Sequence, residues 1–324
     1  MTKSSSHTIL VTGANGFIGQ GLCAALTDRA HRVITAGRQA TQNQATPDRF
    51  TGDLARLEDH NKHITPALFE GVDQVVHLAA IAHRGGVTAD AYDAVNHHAS
   101  IALAKAASTA GCQRFIFLSS AKVLGDTGRD LTDHTPTRPA DDYAKAKQKA
   151  EQALMAVSQA STMPILCLRP PLVHGAGAKA NLARLIRLID HGGVKGIPVP
   201  LGRTRNHRSL ISRDHLVAAI IAVIEADEAP AGCYVVAEQP AMGTDDMIRA
   251  LAEGMGRKAP LFSLPPDLLR WLLKVTGRQG LADRLLGDFS LDDSRFRTAF
   301  GWHALADTRQ SLISTGRAIA QNKR

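Results

Sequence analysis

Short apolar runs alternate with longer amphipathic stretches through the first two-thirds of the chain. The short runs are rich in β-branched residues, and several are apolar at nearly every position, which is typical of parallel strands covered on both faces. They predict strands at residues 8–12, 32–36, 74–78, 114–119, 165–169 and 234–237. Helical patterns lie between them at 17–30, 90–110 and 142–160. This alternation predicts an α/β fold with a doubly wound parallel sheet.

The composition is that of an ordinary globular protein of 324 residues, with 44% hydrophobic and 21% charged positions. The longest apolar stretch, residues 216–224, is too short to span a bilayer. Residues 1–7 are polar and show no secretory signal. Four scattered cysteines lack metal-ligand spacing and favour a reducing compartment: Cys23, Cys112, Cys167 and Cys233. We therefore expect a cytoplasmic protein without membrane insertion.

The formal net charge of +8 fits either an anionic small-molecule ligand or simply a basic surface. Basic residues are spread along the chain rather than gathered in one segment. Aromatic residues occupy only 4% of the positions, so the stacking platforms of nucleic-acid-binding proteins are scarce. We expect no nucleic-acid partner.

A glycine-rich turn joins the first predicted strand to the first predicted helix. Gly13, Gly16 and Gly19 recur at three-residue intervals, a variant of the usual dinucleotide-binding pattern. Gly13 permits the tight turn, Gly16 the approach of the backbone to a pyrophosphate, and Gly19 close packing of helix on strand. The helix N-terminus then offers unpaired N–H groups to the phosphates. This placement predicts a Rossmann-type dinucleotide site.

The end of the second predicted strand bears on the choice of cofactor. NAD-binding proteins usually place a carboxylate there, which accepts hydrogen bonds from the ribose hydroxyls. This chain has Arg38 instead, and no carboxylate until Asp48. Because a planar guanidinium suits a 2′-phosphate, we predict NADP(H) as the preferred cofactor, with NAD(H) as the alternative. Asp53 is predicted either to contact the adenine edge or to cap a loop.

Three polar residues further along form a candidate catalytic trio. Tyr143 and Lys147 are four residues apart at the start of a predicted helix, so their side chains share one face. An ammonium beside a phenol stabilises the phenolate and lowers its pKa, which suits the tyrosine to acid–base work near neutral pH. Ser120 ends a predicted strand, where its hydroxyl can orient a substrate oxygen. The trio predicts a nicotinamide-dependent enzyme acting on a carbonyl or a secondary alcohol.

The composition and the hydrophobic pattern of the sequence change after Arg169. A proline pair ends a strand, a helical pattern follows at 181–190, and residues 192–202 are rich in Gly and Pro. We predict a dinucleotide-binding domain over residues 1–170, with a returning segment at about 209–240. We predict a smaller C-terminal lobe over 171–208 and 241–324, which binds the substrate. The apolar helix at 268–275, with Trp271, is expected in the core of this lobe.

Together these motifs resemble the extended short-chain dehydrogenase/reductases, the family of UDP-glucose 4-epimerase and related nucleotide-sugar enzymes. The resemblance covers nearly the whole chain. It rests on residues 12–19, 77–80 and 119–125, on Asn96, and on Tyr143 with Lys147. It implies that Ser120, Tyr143 and Lys147 are catalytic, that Lys147 also holds the nicotinamide ribose, and that Asn96 supports the active site. It also implies a homodimer built through the helices predicted at 90–110 and 142–160.

The resemblance implies further binding residues on both sides of the trio. On the cofactor side they are Gly13, Asn15, Gly16, Phe17, Ile18, Gly19, Arg38, Asp53, Leu54, Leu78, Ala79, Ala80, Asn96, Tyr143, Lys147 and Pro170. On the substrate side, which would hold a UDP-sugar, they are His83, Ser120, Asn181, Leu182, Arg208 and Arg284. Arginine suits a nucleotide diphosphate because its guanidinium makes two parallel hydrogen bonds to phosphate.

Departures from the family's patterns narrow the predicted reaction. Nucleotide-sugar 4,6-dehydratases carry an Asp-Glu pair where this chain has Ala121 and Lys122, so dehydration is not expected. Galactose-type epimerases have an aromatic residue at the position of Leu124 and an asparagine near that of Leu172. Residues 119–123, 169–171 and 200–202 are more similar to bacterial 4-ketoreductases of polysaccharide biosynthesis, which form UDP-N-acetylquinovosamine. The resemblance therefore implies NADP(H)-dependent reduction of the C4 ketone of a UDP-4-keto-6-deoxy sugar, with Tyr143 as the acid–base group.

Two alternatives stay open. The first is a nucleotide-sugar 4-epimerase of the UDP-glucose/UDP-galactose type with tightly held NAD, against which Arg38 argues. The second is a non-enzymatic dinucleotide-binding sensor, a class that often lacks the tyrosine or the lysine kept here. None of these functions needs a metal. We also expect no metal site, because four histidines show no ligand spacing: His97, His98, His174 and His191.

Overall fold

The structure, a computed structural model, describes residues 6–37, 48–51, 64, 66–83, 85–178, 181–194, 196–277 and 279–322. The described strands are β1 (Thr8–Thr12), β2 (Arg32–Gly37), β3 (Asp48–Thr51), β4 (Gln74–His77), β5 (Arg114–Leu118), β6 (Gly128–Leu131), β7 (Ile165–Arg169), β8 (Leu172–His174), β9 (Leu210–Ser212), β10 (Gly232–Val235) and β11 (Phe289–Leu291). Seven of them form one parallel sheet in the order β10-β7-β5-β4-β1-β2-β3. The chain changes direction across the sheet between β1 and β4, the switch point at which such sheets bind ligands. The predicted doubly wound α/β fold is confirmed.

Helices cover both faces of this sheet. They span Phe17–Asp28, Ala89–Tyr92, Ala99–Thr109, Asp142–Gln159, Asn181–Asp190, Arg213–Glu225, Thr244–Gly254, Pro266–Val275, Gln279–Leu286, Ser294–Phe300 and Thr308–Gln321. Alternate residues of β1 enter different cores, because successive side chains of a strand point to opposite faces. Ile9 and Val11 join a cluster that includes Leu22 and Leu216, whereas Leu10 joins one with Leu103 on the other face.

The strand predictions differ from the structure in several places: β2, β4 and β5 end one residue away from their predicted ends, and β3, β6, β8, β9 and β11 were not predicted. β3 was not predicted, because Phe50 is the only large apolar residue in its four positions. β10 begins and ends two residues earlier than the predicted run at 234–237, and it pairs with β7 at the edge of the sheet. Gly232–Val235 therefore joins the main sheet, while the domain boundaries and the returning segment at about 209–240 stay a prediction.

The helix predicted at 90–110 is broken by a π-helical turn at Asp93–His98. At its end the N–H of Ala99 bonds the carbonyl of Ala94, five residues back. Such wide turns insert an extra residue into a helix and are frequent at functional sites. Here the turn contains the buried Asn96, whose side chain faces the loop after β4. An alanine-rich pattern has the same apolar periodicity with or without this turn, so the sequence did not reveal it.

A separate hydrophobic core lies among helices from the later part of the chain, and we call this region the smaller lobe. Its core includes Ile189, Leu251, Leu286 and Ile319. The helix Pro266–Val275 contributes Leu269 to this core but leaves much of its apolar surface exposed. The prediction that this helix lies in the lobe core is therefore wrong for the face that bears Trp271. In the described part of the chain, no helix combines the length and the hydropathy needed to cross a bilayer.

A buried polar cluster fastens this lobe to the sheet. The carboxylate of Glu238 accepts hydrogen bonds from the N–H of Ser212 (2.8 Å) and the hydroxyl of Ser311 (2.9 Å), and it pairs with His215. His174 lies 3.4 Å from the same carboxylate. Burial alone would raise the pKa of Glu238, but its hydrogen bonds with His174 and His215 lower it to about 2. His174 is thus part of a structural cluster.

Candidate active site

The glycine turn is packed directly against the end of β4. Gly13 has φ +71°, and a Cβ atom there would lie 2.7 Å from the backbone nitrogen of Ala79. The N–H of Ala79 also donates to the hydroxyl of Thr12 (3.2 Å), the residue before Gly13, and this hydrogen bond ties the loop to the turn. At Gly19 a side chain would overlap the carbonyl oxygen of Gly13. Both positions therefore require glycine, and the turn and the loop of Leu78, Ala79 and Ala80 form one unit.

The start of the helix Phe17–Asp28 is suited to an anion. Its N-cap is Gly16, no side chain caps it, and no acidic residue stands in its first turn. The N–H groups of Phe17, Ile18 and Gly19, which follow the turn residue Asn15, are therefore free of a side-chain cap. The Arg213 guanidinium lies 5.5 Å from the centre of the Phe17 ring, a contact that the sequence analysis missed.

Asn96 fixes the loop that follows β4. Its amide oxygen accepts from the N–H of Ile81 (2.8 Å), and its amide nitrogen donates to the carbonyl of the same residue (3.0 Å). This two-point contact holds the loop as a neighbouring strand would. Asn96 therefore touches the loop between the glycine turn and Tyr143, and its contacts are with protein backbone.

The Tyr143 helix (Asp142–Gln159) begins at a capping residue that the sequence analysis missed. Asp141 is the N-cap, and its Oδ1 accepts from the N–H of Ala144 (2.8 Å). Its other oxygen lies 2.9 Å from Nζ of Lys122 and 3.2 Å from Nε2 of His83. One carboxylate thus joins the start of this helix to the loop after β4 and to the segment after Ser120. The signal in the sequence was an aspartate three residues before an alanine-rich helical run.

The side chain of Ser120 acts on the Tyr143 hydroxyl and favours a lower pKa, so the structure brings these two trio members near each other. The Tyr143 ring packs edge-on against those of Tyr92 and His83, each at 5.8 Å between centres. Burial raises the pKa of Tyr143 to about 12, and the side chain of Ser120 offsets only part of this. The expected lowering of this pKa by Lys147 is not found: burial dominates, and Lys147 is not among the groups that shift the pKa of Tyr143.

Lys147 is buried on the same helix, one turn after Tyr143. Its Nζ donates to the carbonyl of Leu118 at 2.7 Å and lies 4.3 Å from the centre of the Phe117 ring. Burial lowers the pKa of Lys147 from 10.5 to about 7, although Glu151 and Cys167 raise it. The ammonium is therefore anchored to the end of β5, the strand that leads to Ser120, and titrates near neutral pH.

Pro170 also lies beside Ser120. It follows β7, the strand next to β5 in the sheet, and its carbonyl accepts from the N–H of Ala121 at 2.9 Å. Since the carboxyl ends of parallel strands share one edge, the glycine turn, the loop after β4, Ser120 and Pro170 lie along that edge.

The predicted substrate residues are described to different extents. His83 lies at the rim of Tyr143, as noted above, and is half exposed. Arg208 donates to the carbonyl of Gly287 at 3.1 Å. Burial lowers the pKa of Arg208, while the Asp126 carboxylate raises it. Because Asp126 also pairs with Lys122 (2.6 Å), Arg208 lies on the Ser120 side of the lobe.

Several predicted residues cannot be placed. Asn181 and Leu182 begin the helix Asn181–Asp190, and Arg284 belongs to the helix Gln279–Leu286, but their side chains lie outside what the structure describes. Arg38, Asp53 and Leu54 are outside the described residues altogether. The roles of all six stay predictions.

The statement that His97 and His98 lack ligand spacing is corrected by the structure. Their ring nitrogens and the Asp93 carboxylate lie within 4.8 Å of one another on the π-helical turn. The wide turn causes this, because it brings residues five apart into register. The same carboxylate also pairs with Lys149 at 3.0 Å. We therefore describe an ion-paired histidine cluster on this helix and assign no metal to it.

The fold is of the Rossmann type, and Ser120, Tyr143 and Lys147 lie near the carboxyl end of its sheet. The sequence pattern of the NAD dependent epimerase/dehydratase family matches residues 9–237. The UDP-glucose 4-epimerase of Vibrio cholerae is 32% identical over 330 residues, covering 98% of this chain and 97% of that protein. The chain belongs to the NAD-dependent epimerase/dehydratase family. The predictions of the family and of an NAD(P)-dependent enzyme are confirmed.

Solved structures support the fold. MoeE5 in complex with UDP-glucuronic acid and NAD has a TM-score of 0.76 at 21% identity, covering 98% of this chain and 100% of that one. UDP-glucuronic acid 4-epimerase from Bacillus cereus in complex with NAD has a TM-score of 0.74 at 19% identity, with 98% and 100% covered. Both neighbours hold NAD, and at these identities the likeness extends to the fold alone.

We expect Lys147→Met to stabilise the folded protein at pH 7 while it removes activity. The pKa of Lys147 falls from 10.5 to about 7 on folding, so between these values the unfolded chain holds a proton that the folded protein lacks. The stability of the wild type should therefore rise with pH in this window, by up to about 1.4 kcal/mol per pH unit, relative to the variant. Urea unfolding at pH 7, 8 and 9 measures this change.

Lys149→Met is the matched control, because Lys149 lies on the same helix but is exposed. Its free energy of unfolding should differ from that of the wild type by less than about 1 kcal/mol at every pH. If the difference in free energy of unfolding between the wild type and Lys147→Met stays constant from pH 7 to 9, the lowered pKa of Lys147 is contradicted.

Proposed function

We propose that this enzyme interconverts the carbonyl and the hydroxyl at C4 of the hexose of a UDP-sugar. The observation that carries the proposal is the buried Tyr143 hydroxyl near the side chain of Ser120, with its ring against His83 of the loop packed on the glycine turn. Two polar hydroxyls meet there at the ligand-binding edge of the sheet. A UDP-sugar as substrate is supported by the relative from Vibrio cholerae, whose name states a UDP-glucose 4-epimerase.

The residues present fit a nicotinamide dinucleotide. The uncapped helix start and the glycine positions described above leave backbone N–H groups and no side chain where a pyrophosphate would bind. When bound, the nicotinamide supplies or accepts the hydride. Gly13, Gly16 and Gly19 would hold the phosphates, and Leu78, Ala79 and Ala80 would line the other side. Lys147, whose amino group is at the end of β5, would orient the ribose.

The first candidate reaction is net reduction of a 4-keto sugar. Ser120 would bond the C4 oxygen and Tyr143 would give it a proton as C4 gains a hydride, so the C=O bond becomes C–OH. A pKa of about 12 keeps Tyr143 protonated at neutral pH but makes it a weak acid, so this pKa does not separate reduction from epimerisation. With Ala121 and Lys122 after Ser120, the chain lacks the acid pair of the dehydratases. The resemblance of residues 119–123, 169–171 and 200–202 to bacterial 4-ketoreductases is what favours a 4-ketoreductase of UDP-4-keto-6-deoxy sugars.

The second candidate is a 4-epimerase with tightly held NAD. The observation in its favour is the likeness to the Vibrio cholerae UDP-glucose 4-epimerase over nearly the whole of both chains. Two assays on the purified protein separate the two candidates. A reductase oxidises one equivalent of NADPH or NADH for each 4-keto UDP-sugar consumed. An epimerase converts UDP-glucose to UDP-galactose with no added cofactor. Absence of both activities would contradict the proposal.

We expect Tyr143→Phe to lower turnover by roughly 10²- to 10⁴-fold, because it removes the group that moves the proton. Dinucleotide affinity, measured by titration calorimetry, should change little. Tyr234→Phe is the matched control, since the Tyr234 hydroxyl donates to the carbonyl of Pro230, which precedes the edge strand β10 and so lies toward the amino end of the sheet. Full activity of Tyr143→Phe would overturn the catalytic role and favour the sensor alternative.

We expect Arg38→Ser to lower the preference for NADP over NAD by about tenfold, the worth of one or two charge-assisted hydrogen bonds. The ratio of the two dissociation constants, measured on wild type and variant, gives this change. Arg32→Ser is the control, because Arg32 is an exposed arginine at the start of β2. An unchanged ratio, or a wild type that prefers NAD as its structural neighbours hold it, would contradict the assignment of Arg38.

A further inference from the structure

One helix of the smaller lobe carries a second apolar face that nothing in the described structure covers. In the helix Pro266–Val275, Leu269 is buried in the lobe core. Four other apolar side chains are exposed: Leu268, Trp271, Leu272 and Val275. Their spacing of three, four and seven residues from the first places them in a single stripe along the helix. We call this set the Trp271 stripe.

The stripe is not an isolated exposed residue. Exposed apolar side chains also occur in the two loops that pack in the same lobe: Val194 and Ile197 in one, and Phe262 in the other. The loops are paired, since the N–H of Phe262 donates to the carbonyl of Val199 at 3.0 Å. Four exposed apolar side chains on one helix face mark an interaction surface, whereas single exposed residues need no explanation.

The charges around the stripe indicate what covers it. From residue 257 to residue 274 the chain has four cations, Arg257, Lys258, Arg270 and Lys274, and one carboxylate, Asp267. All five side chains are exposed. Two copies of such a surface placed face to face would bring like charges together, which opposes self-association. An anionic partner is favoured instead.

We propose that the Trp271 stripe docks on the surface of an anionic lipid bilayer. A tryptophan and aliphatic side chains on one helix face, flanked by Arg and Lys, are the features of helices that lie in the membrane interface. Trp271 places its ring at the headgroup level, while Arg270 and Lys274 contact anionic headgroups. The helix has ten residues, so it lies on the bilayer rather than crossing it. The inference goes beyond the proposed function and does not depend on it.

The two tryptophans of the chain provide a direct probe. Trp271 is 58% exposed and Trp302 is 5% exposed, so only one indole can move from water into lipid. The full-length protein is titrated with vesicles of phosphatidylcholine alone or mixed with phosphatidylglycerol. We expect a shift of tryptophan emission to shorter wavelength with the anionic vesicles, quenching by brominated lipid, and reversal by salt.

Variants separate the contribution of the apolar side chains to vesicle binding from that of the charged side chains. Leu268→Glu/Leu272→Glu should abolish the shift while it leaves Trp271 in place. Arg270→Gln/Lys274→Gln should weaken binding to anionic vesicles by about tenfold or more. Leu305→Glu is the matched control: Leu305 is 92% exposed and lies outside the stripe, so binding should not change. Thermal unfolding of each variant verifies that it is folded.

Three results would overturn the proposal. The first is no emission shift with either kind of vesicle. The second is an equal loss of binding in Leu305→Glu and in the stripe variant. The third is a shift that depends on protein concentration without lipid, which would assign the stripe to a second copy of the chain. Enzyme activity without vesicles is measured separately, so failure here leaves the proposed function intact.

Discussion

The close contact between the glycine turn and the end of β4 is the constraint on which the active site depends. At Gly13 no side chain fits, because a Cβ atom would meet the backbone of Ala79 at 2.7 Å. The loop that starts there is held by Asn96 and continues to His83, at the rim of Tyr143. One short loop therefore contacts both the predicted cofactor cradle and the ring of Tyr143. A shift of that loop would move both.

Burial sets the protonation states of Tyr143 and Lys147. Tyr143 is held protonated and Lys147 titrates near pH 7, because both side chains are removed from water. The carbonyl of Leu118 anchors the amino group of Lys147 beneath Ser120. The carboxylate of Asp141, which caps the helix, orients the first turn that carries Tyr143. In physical terms the site is a pair of poorly solvated ionisable groups whose positions are set by backbone contacts and one aspartate.

The sequence predicted the parallel sheet well because its strands are apolar on both faces. β1 and β7 have the bounds that their patterns predicted, and Tyr143 and Lys147 share one helix as their spacing predicted. Three features had no such signal. The π-helical turn around Asn96 has the periodicity of an ordinary helix. The pKa of Tyr143 depends on burial, which spacing does not reveal. The apolar pattern around Trp271 predicted an amphipathic helix but not which of its faces would be covered.

The proposals for this protein concern two separate regions, the carboxyl edge of the sheet and one helix of the smaller lobe. The central claim concerns the first: the Tyr143 hydroxyl delivers or takes the proton at C4 of the sugar. A crystal structure with both NAD(P) and a UDP-sugar bound tests it most directly. We predict that the Tyr143 oxygen lies about 2.6–3.2 Å from the C4 oxygen, with Ser120 bonded to the same atom. A bound sugar whose C4 oxygen faces away from Tyr143, beyond the reach of proton transfer, would contradict the account.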